Sequence, residues 1–152
     1  NMNGLYLLAG KTHVDNHTTV DHTMPNALSN ELYKGIMDDQ SKGVFNGKIF
    51  VRKDAQKTNA FQSNKNILLT DDATVNTKPQ LEIWADDVKC SHGCTTGQLD
   101  KDALFYLMAR GIKKDRAMAM LLHAFASDVI ENLEIEAIQA YVEAIITSRL
   151  EK

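Results

Sequence analysis

Scarcity bounds this chain before any motif does. Its 152 residues include only two cysteines, Cys90 and Cys94. That is too few for the disulfide framework of a small secreted domain, and free thiols suit a reducing cytosol. No apolar run approaches the ~20 residues needed to span a bilayer. The start, Asn1-Met2-Asn3-Gly4, lacks both the basic segment and the apolar core of a signal peptide. Neither sign of charge prevails: 17 basic and 20 acidic residues give a net charge of -3, with no general attraction to nucleic acid or anionic lipid. A G-x-x-x-x-G-K-[ST] phosphate loop is also missing. The expectation is a cytoplasmic chain with neither membrane nor nucleic acid as partner.

What is present divides near residue 99. Residues 1–99 hold 10 Asn, 10 Thr and 7 Gly, against one of each in 100–152, and their acidic residues are nine Asp and two Glu. Asp, Asn and Gly are turn residues, because they tolerate left-handed backbone or bond back to it. Between the turns lie β-rich runs at Leu5–Ala9, Val44–Val51, Asn66–Thr70 and Leu81–Ala85. Val44-x-x-x-x-Ile49-x-Val51 and Leu81-x-Ile83-x-Ala85 are read as period-two faces turned inward. Ile67–Ala73 resembles Leu81–Val88, with Asp-Asp pairs 15 residues apart and a further pair at Asp38-Asp39. Such a pattern suits a sandwich or barrel, or equally the coils of a parallel β-helix, and the residues alone leave both open. Pro25 and Pro79 are placed at run boundaries. Leu5–Ala9 is strand-like with no lead-in, so we read the chain as a piece of a longer protein.

Residues 100–152 hold nine Ala. Asp100 is positioned to cap a helix over 101–110, with Gly111 as its left-handed stop. A second helix, about 115–132, and a third, 134–150, carry apolar residues at spacings of three and four. Their apolar surface is generous for three helices, but core packing accounts for it more simply than a partner does. Arg110, Lys113, Lys114 and Arg116 gather where the first helix ends, offsetting its dipole. His123 is read as a packed histidine.

The chemistry-bearing residues are few. If Val88–Thr95 is extended, Cys90, His92 and Cys94 point to one side, a soft thiolate and imidazole face for zinc, iron or an iron–sulfur unit. It supplies three ligands at most, so a closed four-coordinate site needs another group. On a strand His13, Asp15 and His17 would also share a face, although their spacing matches no metal signature and a solvated face is the simpler reading. Neighbouring Asp residues in a strand point to opposite faces, so Asp71-Asp72 and Asp86-Asp87 cannot flank one glycosidic bond and are read as turns.

Taken together, Asp86-Asp87-Val88-Lys89-Cys90-Ser91-His92-Gly93, Gly97-Gln98-Leu99-Asp100 and Leu104-Phe105-Tyr106-Leu107-x-x-Arg110-Gly111-Ile112 resemble the SufB/SufD family of iron–sulfur assembly proteins. Val20-Asp21-His22-x-x-Pro25, Val44-Phe45-Asn46-Gly47-Lys48-Ile49 and Ala55-Gln56-Lys57-Thr58-Asn59-Ala60 support it along nearly the whole chain. The C-S-H-G form favours the family's SufD branch. The resemblance implies the last coils of a right-handed parallel β-helix over 1–99, followed by a small C-terminal helical domain over 100–152. It also implies a non-enzymatic scaffold in the SufBCD complex. The β-helix would pair with a SufB-like subunit, or with itself as a homodimer in isolation, and the helices would dock a SufC-like ATPase. Cys90 and His92 would lie where nascent clusters form. No cofactor would be held tightly by the isolated chain, and iron or an iron–sulfur cluster would pass through transiently. The family has Ala where this chain has Cys94, which is read as a small buried substitute with a third ligand as the alternative. Two rivals remain: a stand-alone metal protein using His13, His17, Cys90 and His92, and a carbohydrate-active β-helix enzyme.

Overall fold

A computed structural model of the chain describes residues 1–150. It falls into two compact units, Asn1–Thr96 and Gly97–Lys152. The first is a parallel β-solenoid of about three turns. Its strands are β1 (Met2–Leu8), β2 (His13–His22), β3 (Leu28–Met37), β4 (Lys42–Val51), β5 (Asn59–Leu68), β6 (Thr74–Ile83) and β7 (Lys89–Gly97). Odd-numbered strands form one sheet in the order β1-β3-β5-β7, and even-numbered strands form the other, β2-β4-β6. Met2 pairs with Glu31, Leu28 with Asn59 and Lys42 with Thr74, so each coil takes 29 to 32 residues. The β-helix expectation holds, and the sandwich and barrel fall away.

Parallel pairing in register stacks like positions, and the inward positions form layers. In β4 the inward set is Gly43, Phe45, Gly47, Ile49 and Val51, all buried. Val44 is five residues from Ile49 and lies on the opposite face, because side chains alternate with period two; the inward reading of Val44 is corrected. The 15-residue likeness spans half a coil and joins different corners. Asp38-Asp39 and Asp71-Asp72 occupy one corner, at the ends of β3 and β5, and Asp86-Asp87 precedes β7 at another. At the first, Asp39 adopts φ 54 and its Oδ2 accepts the Gly10 N–H at 2.7 Å. At the other, the Gln56 Oε1 accepts the Asp87 N–H at 2.9 Å. All three pairs do turn work. Pro79 is not at a boundary but inside β6. The strand tolerates it as the edge of its sheet: Thr74 and Trp84 donate their N–H groups to the β4 side, so the odd position 79 faces the open edge, where no donor is needed.

The core has two apolar ends and a polar middle. Tyr6, Leu8, Met37 and Ala73 make one cluster; Ile49, Val51, Ala55, Ala60 and Ala85 make the other. Between them the Tyr6 hydroxyl donates to Asn66 Oδ1 at 2.6 Å, Asn66 Nδ2 donates to Asn64 Oδ1 at 2.7 Å, and Asn64 Nδ2 donates to the Tyr33 carbonyl at 3.2 Å. Burial raises the Tyr6 pKa, against a smaller lowering by Asn64. Gly35 makes room for this network: a Cβ there would lie 2.3 Å from the Tyr6 ring and 2.6 Å from Asn66 Oδ1.

The second unit contains α1 (Lys101–Ala109), α2 (Lys114–Ile130) and α3 (Glu136–Leu150). Asp100 caps α1 by accepting the N–H groups of Asp102 and Ala103 at 2.9 and 3.0 Å. Gly111 ends it at φ 86, with Gly111 N–H bonded to the Met108 carbonyl and Ile112 N–H to the Leu107 carbonyl. That is a Schellman close, which requires the left-handed residue. α2 packs on both α1 and α3 and carries most of the buried residues, among them Ala117, Leu122, Ala126 and Ile130. Core packing does not absorb all the apolar surface, however. Among the described residues α1 buries none of its side chains and α3 only Ile146, leaving Phe105, Tyr106, Ile138 and Tyr141 exposed.

The network around Gly35 yields a stability test. Gly35→Ala should cost about 1–3 kcal/mol in urea unfolding, because a methyl group is forced into packed atoms. Gly93→Ala, where a Cβ meets nothing within 4 Å, should change the midpoint little.

Candidate functional site

β7 is the last strand of its sheet, so one side of it pairs and the other is open. Lys89 N–H donates to the Thr58 carbonyl at 2.9 Å, as Asn59 N–H does to Ala27 one coil earlier. Extending that register sets Cys90 beside Ala60, His92 beside Gln62 and Cys94 beside Asn64. In a parallel strand the N–H and C=O of one residue turn to the same side, and neighbours turn to opposite sides. Lys89 and the odd positions face β5. The main-chain groups of Cys90, His92 and Cys94 therefore line the open edge.

The three side chains share the inward face, as the alternation predicts. Cys90 is half-buried against the Ile49–Val51 cluster. Burial pushes its thiol pKa upward, and a hydrogen bond from the Ala60 backbone offsets part of that rise. Cys94 Sγ lies 2.7 Å from Thr77 Oγ1, across the solenoid interior on β6. It is exposed, which corrects the expectation of a buried substitute: no further coil covers β7. His92 is exposed for the same reason.

A shared face is not a shared site. At ~3.3 Å per residue, Cys90 and Cys94 are separated by about 13 Å along the strand, whereas two sulfurs on one metal must each lie about 2.3 Å from it. Cys94 cannot join Cys90 on a single ion. Among the described residues no group of three His, Cys, Asp or Glu side chains could hold a metal. His13 and His17 lie on β2, in the other sheet and two coils away from β7, so the four-residue set with Cys90 and His92 is not brought together. His13, Asp15 and His17 do share an outward face, where the His17 Nε2 sits 2.9 Å from Asp15 Oδ1 with both side chains largely in solvent. That is the solvated face expected.

Two buried residues beside this strand carry no motif. Glu31 and Gln62 follow one another in the inward column that His92 completes, and Gln62 Nε2 donates to Glu31 Oε2 at 2.7 Å. Sequence offered one usable signal, the coil-length offset: Glu31, Gln62 and His92 lie about 31 residues apart. Farther along, the inward His22 is buried and bonds Ser29 Oγ at 2.9 Å. Burial lowers its pKa, partly opposed by Asp21.

This architecture defines a class: a parallel β-solenoid whose terminal coil presents a Cys-x-His strand on an open edge, followed by a helical unit. Residues 1–125 match the family described as "SUF system FeS cluster assembly, SufBD core domain". The chain belongs to that family. It is 44% identical over 136 residues to the iron-sulfur cluster assembly protein SufD of Escherichia coli, covering 90% of this chain and 32% of that protein. An iron-sulfur cluster assembly SufBD family protein of Synechocystis is 40% identical over 145 residues, covering 95% and 32%. The chloroplastic protein ABCI7 of Arabidopsis thaliana is 44% identical over 119 residues, covering 78% and 25%. The chain thus spans about a third or less of the length of these relatives. No helix among the described residues is long and apolar enough to cross a membrane.

The two thiols should react unequally. Thiolate is the reactive form, so a raised pKa leaves Cys90 with less of it near neutral pH, and its partial burial restricts access further. Alkylation followed by mass spectrometry should modify Cys94 several-fold faster than Cys90, with Cys90 gaining rate only as pH rises. A faster Cys90 would contradict this burial.

Proposed function

We propose that this chain is a non-catalytic scaffold segment of an iron–sulfur cluster assembly complex. In it, β7 forms the mating edge and His92, with Cys90 two residues before it, forms one half of a site completed by a partner. The observation that carries the reading is the coincidence on β7 of unpaired main-chain groups with the Cys90 and His92 side chains. A strand added to that edge pairs with the main chain of the same residues whose side chains face the cargo. Iron, sulfide or the nascent cluster is cargo here, held transiently. One thiol and one imidazole are too few to retain it, and a second chain has to supply the remaining ligands.

A SufB-like subunit is the partner this edge fits, and a second copy of the chain fits when that subunit is missing. The helical unit is the docking surface for a SufC-like ATPase. What supports this is its unspent apolar surface, Phe105, Tyr106, Ile138 and Tyr141, on helices that bury little of their own. ATP chemistry belongs to that partner. The assembly operates in a reducing, cytoplasm-like compartment where both thiols stay free.

Two measurements test the reading. His92→Ala, in the full-length protein within the reconstituted complex, should reduce cluster formation at least tenfold while leaving subunit association intact. Unchanged formation would remove His92 from the site. Light scattering on the isolated chain at micromolar concentration should give a dimer, and Thr96→Pro at the open edge should return it to a monomer. A wild-type monomer would refute self-pairing.

A further inference from the structure

The interior layer that contains His92 holds buried polar groups that are left incomplete. Glu31 is 3% exposed and Gln62 2%, yet Glu31 Oε1 and Gln62 Oε1 find no hydrogen-bond partner among the described residues. Buried polar atoms are nearly always paired, so an orphan here points to a group that engages it in the working state. The Gln62 amide cannot turn over to correct this. A carboxylate accepts and does not donate, so the amide nitrogen must face Glu31, and it does so at 2.7 Å. The side chain is also held in place from across the interior: a Cβ on Gly47 would lie 2.3 Å from Gln62 Nε2, and only glycine leaves it that space. With the nitrogen committed to the preceding coil, the amide oxygen is the polar atom left for the following one. There the register places His92.

We propose that Gln62 is the positioning residue of His92: its Oε1, without a partner while the exposed His92 ring is turned away from it, accepts one ring N–H when that ring turns inward. This selects one tautomer and leaves the other nitrogen's lone pair directed at the open edge. Glu31 acts through Gln62 by fixing which way the amide faces. The column Glu31–Gln62–His92 is a relay of orientation through three coils, built because parallel register superposes residues about 31 apart. Its use in cluster assembly rests on the role proposed for His92 above, whereas the hydrogen bond itself does not. Thr18 Oγ1 is likewise buried and unpartnered.

The tautomer ratio of the neutral ring reads this directly. Long-range proton–nitrogen spectra of the nitrogen-15-labelled chain, at a pH well above imidazole titration, report it for His92. They report it too for the outward His13 as an unbiased reference. One net hydrogen bond skews the ratio by about fivefold. His92 should show that skew relative to His13, and Gln62→Met should abolish it while the other histidine signals stay in place. Gln62→Asn, too short to reach both Glu31 and His92, should abolish it as well and serves if the methionine variant does not fold. A wild-type His92 ratio equal to that of His13 overturns the proposal without any variant. A skew that survives in a folded Gln62 variant also overturns it. Should His92→Ala leave assembly unchanged, the role of His92 falls and the tautomer skew stands. Should the skew be missing while His92→Ala stops assembly, only this inference falls.

Discussion

Parallel hydrogen-bond register between successive coils is the constraint on which everything else in the solenoid depends. Because Glu31 pairs with Gln62, and Tyr33 with Asn64, each inward position sees the same position of the coil before and after it. Side-chain chemistry is thereby sorted into layers. Slipping one strand by a single residue would exchange the inward and outward sets, bringing Lys48 inward where Ile49 belongs. The two apolar clusters at the ends of the strands set the register, since they have most to lose from such a slip. The polar middle then follows it.

That polar middle is costly to bury and has to be satisfied locally. Asn64 and Asn66 manage it by bonding one another, Tyr6 and the Tyr33 backbone, and glycine at position 35 gives the Tyr6 ring its place. One layer farther, toward the Ile49 end, the arrangement stops short of completion: Glu31 and Gln62 hold each other but keep an oxygen apiece unpaired. That layer reaches the terminal strand at His92.

The same register makes β7 unlike its neighbours. Each earlier strand of its sheet lends its next edge to a following coil, whereas β7 keeps that edge bare, along with the inward face that a further coil would cover. Exposed edges are liabilities unless they are used. Here the residues on the edge are a thiol, an imidazole and a second thiol, with few charges to repel another strand. This geometry leaves the end of the solenoid free to pair with an added strand. The helices carry a second unfilled surface of a different kind, apolar side chains with no main-chain valences to offer.

How much of this could be read in advance depended on range. The Asp100 cap, the Gly111 stop and the common face of Cys90, His92 and Cys94 were all legible, because capping, left-handed backbone and strand alternation act over four residues or fewer. Turn-forming Asp pairs were legible for the same reason. Strands β2 and β3 were not: Thr18, His22 and Glu31 point inward and break the apolar alternation by which a strand is recognised. Pro79 was misplaced because only the sheet order shows that β6 is an edge. Cys94 looked like a buried residue until the absence of a covering coil exposed it. The amino-acid sequence by itself determined the local elements and the face on which the cysteines and His92 stand. Tertiary structure alone decided that Glu31, Gln62 and His92 form a column, that Cys90 and Cys94 are too far apart for one ion, and that the strand carrying them is an edge. Each of those facts is a relation between residues a coil apart or between a strand and its missing neighbour, which no local pattern encodes.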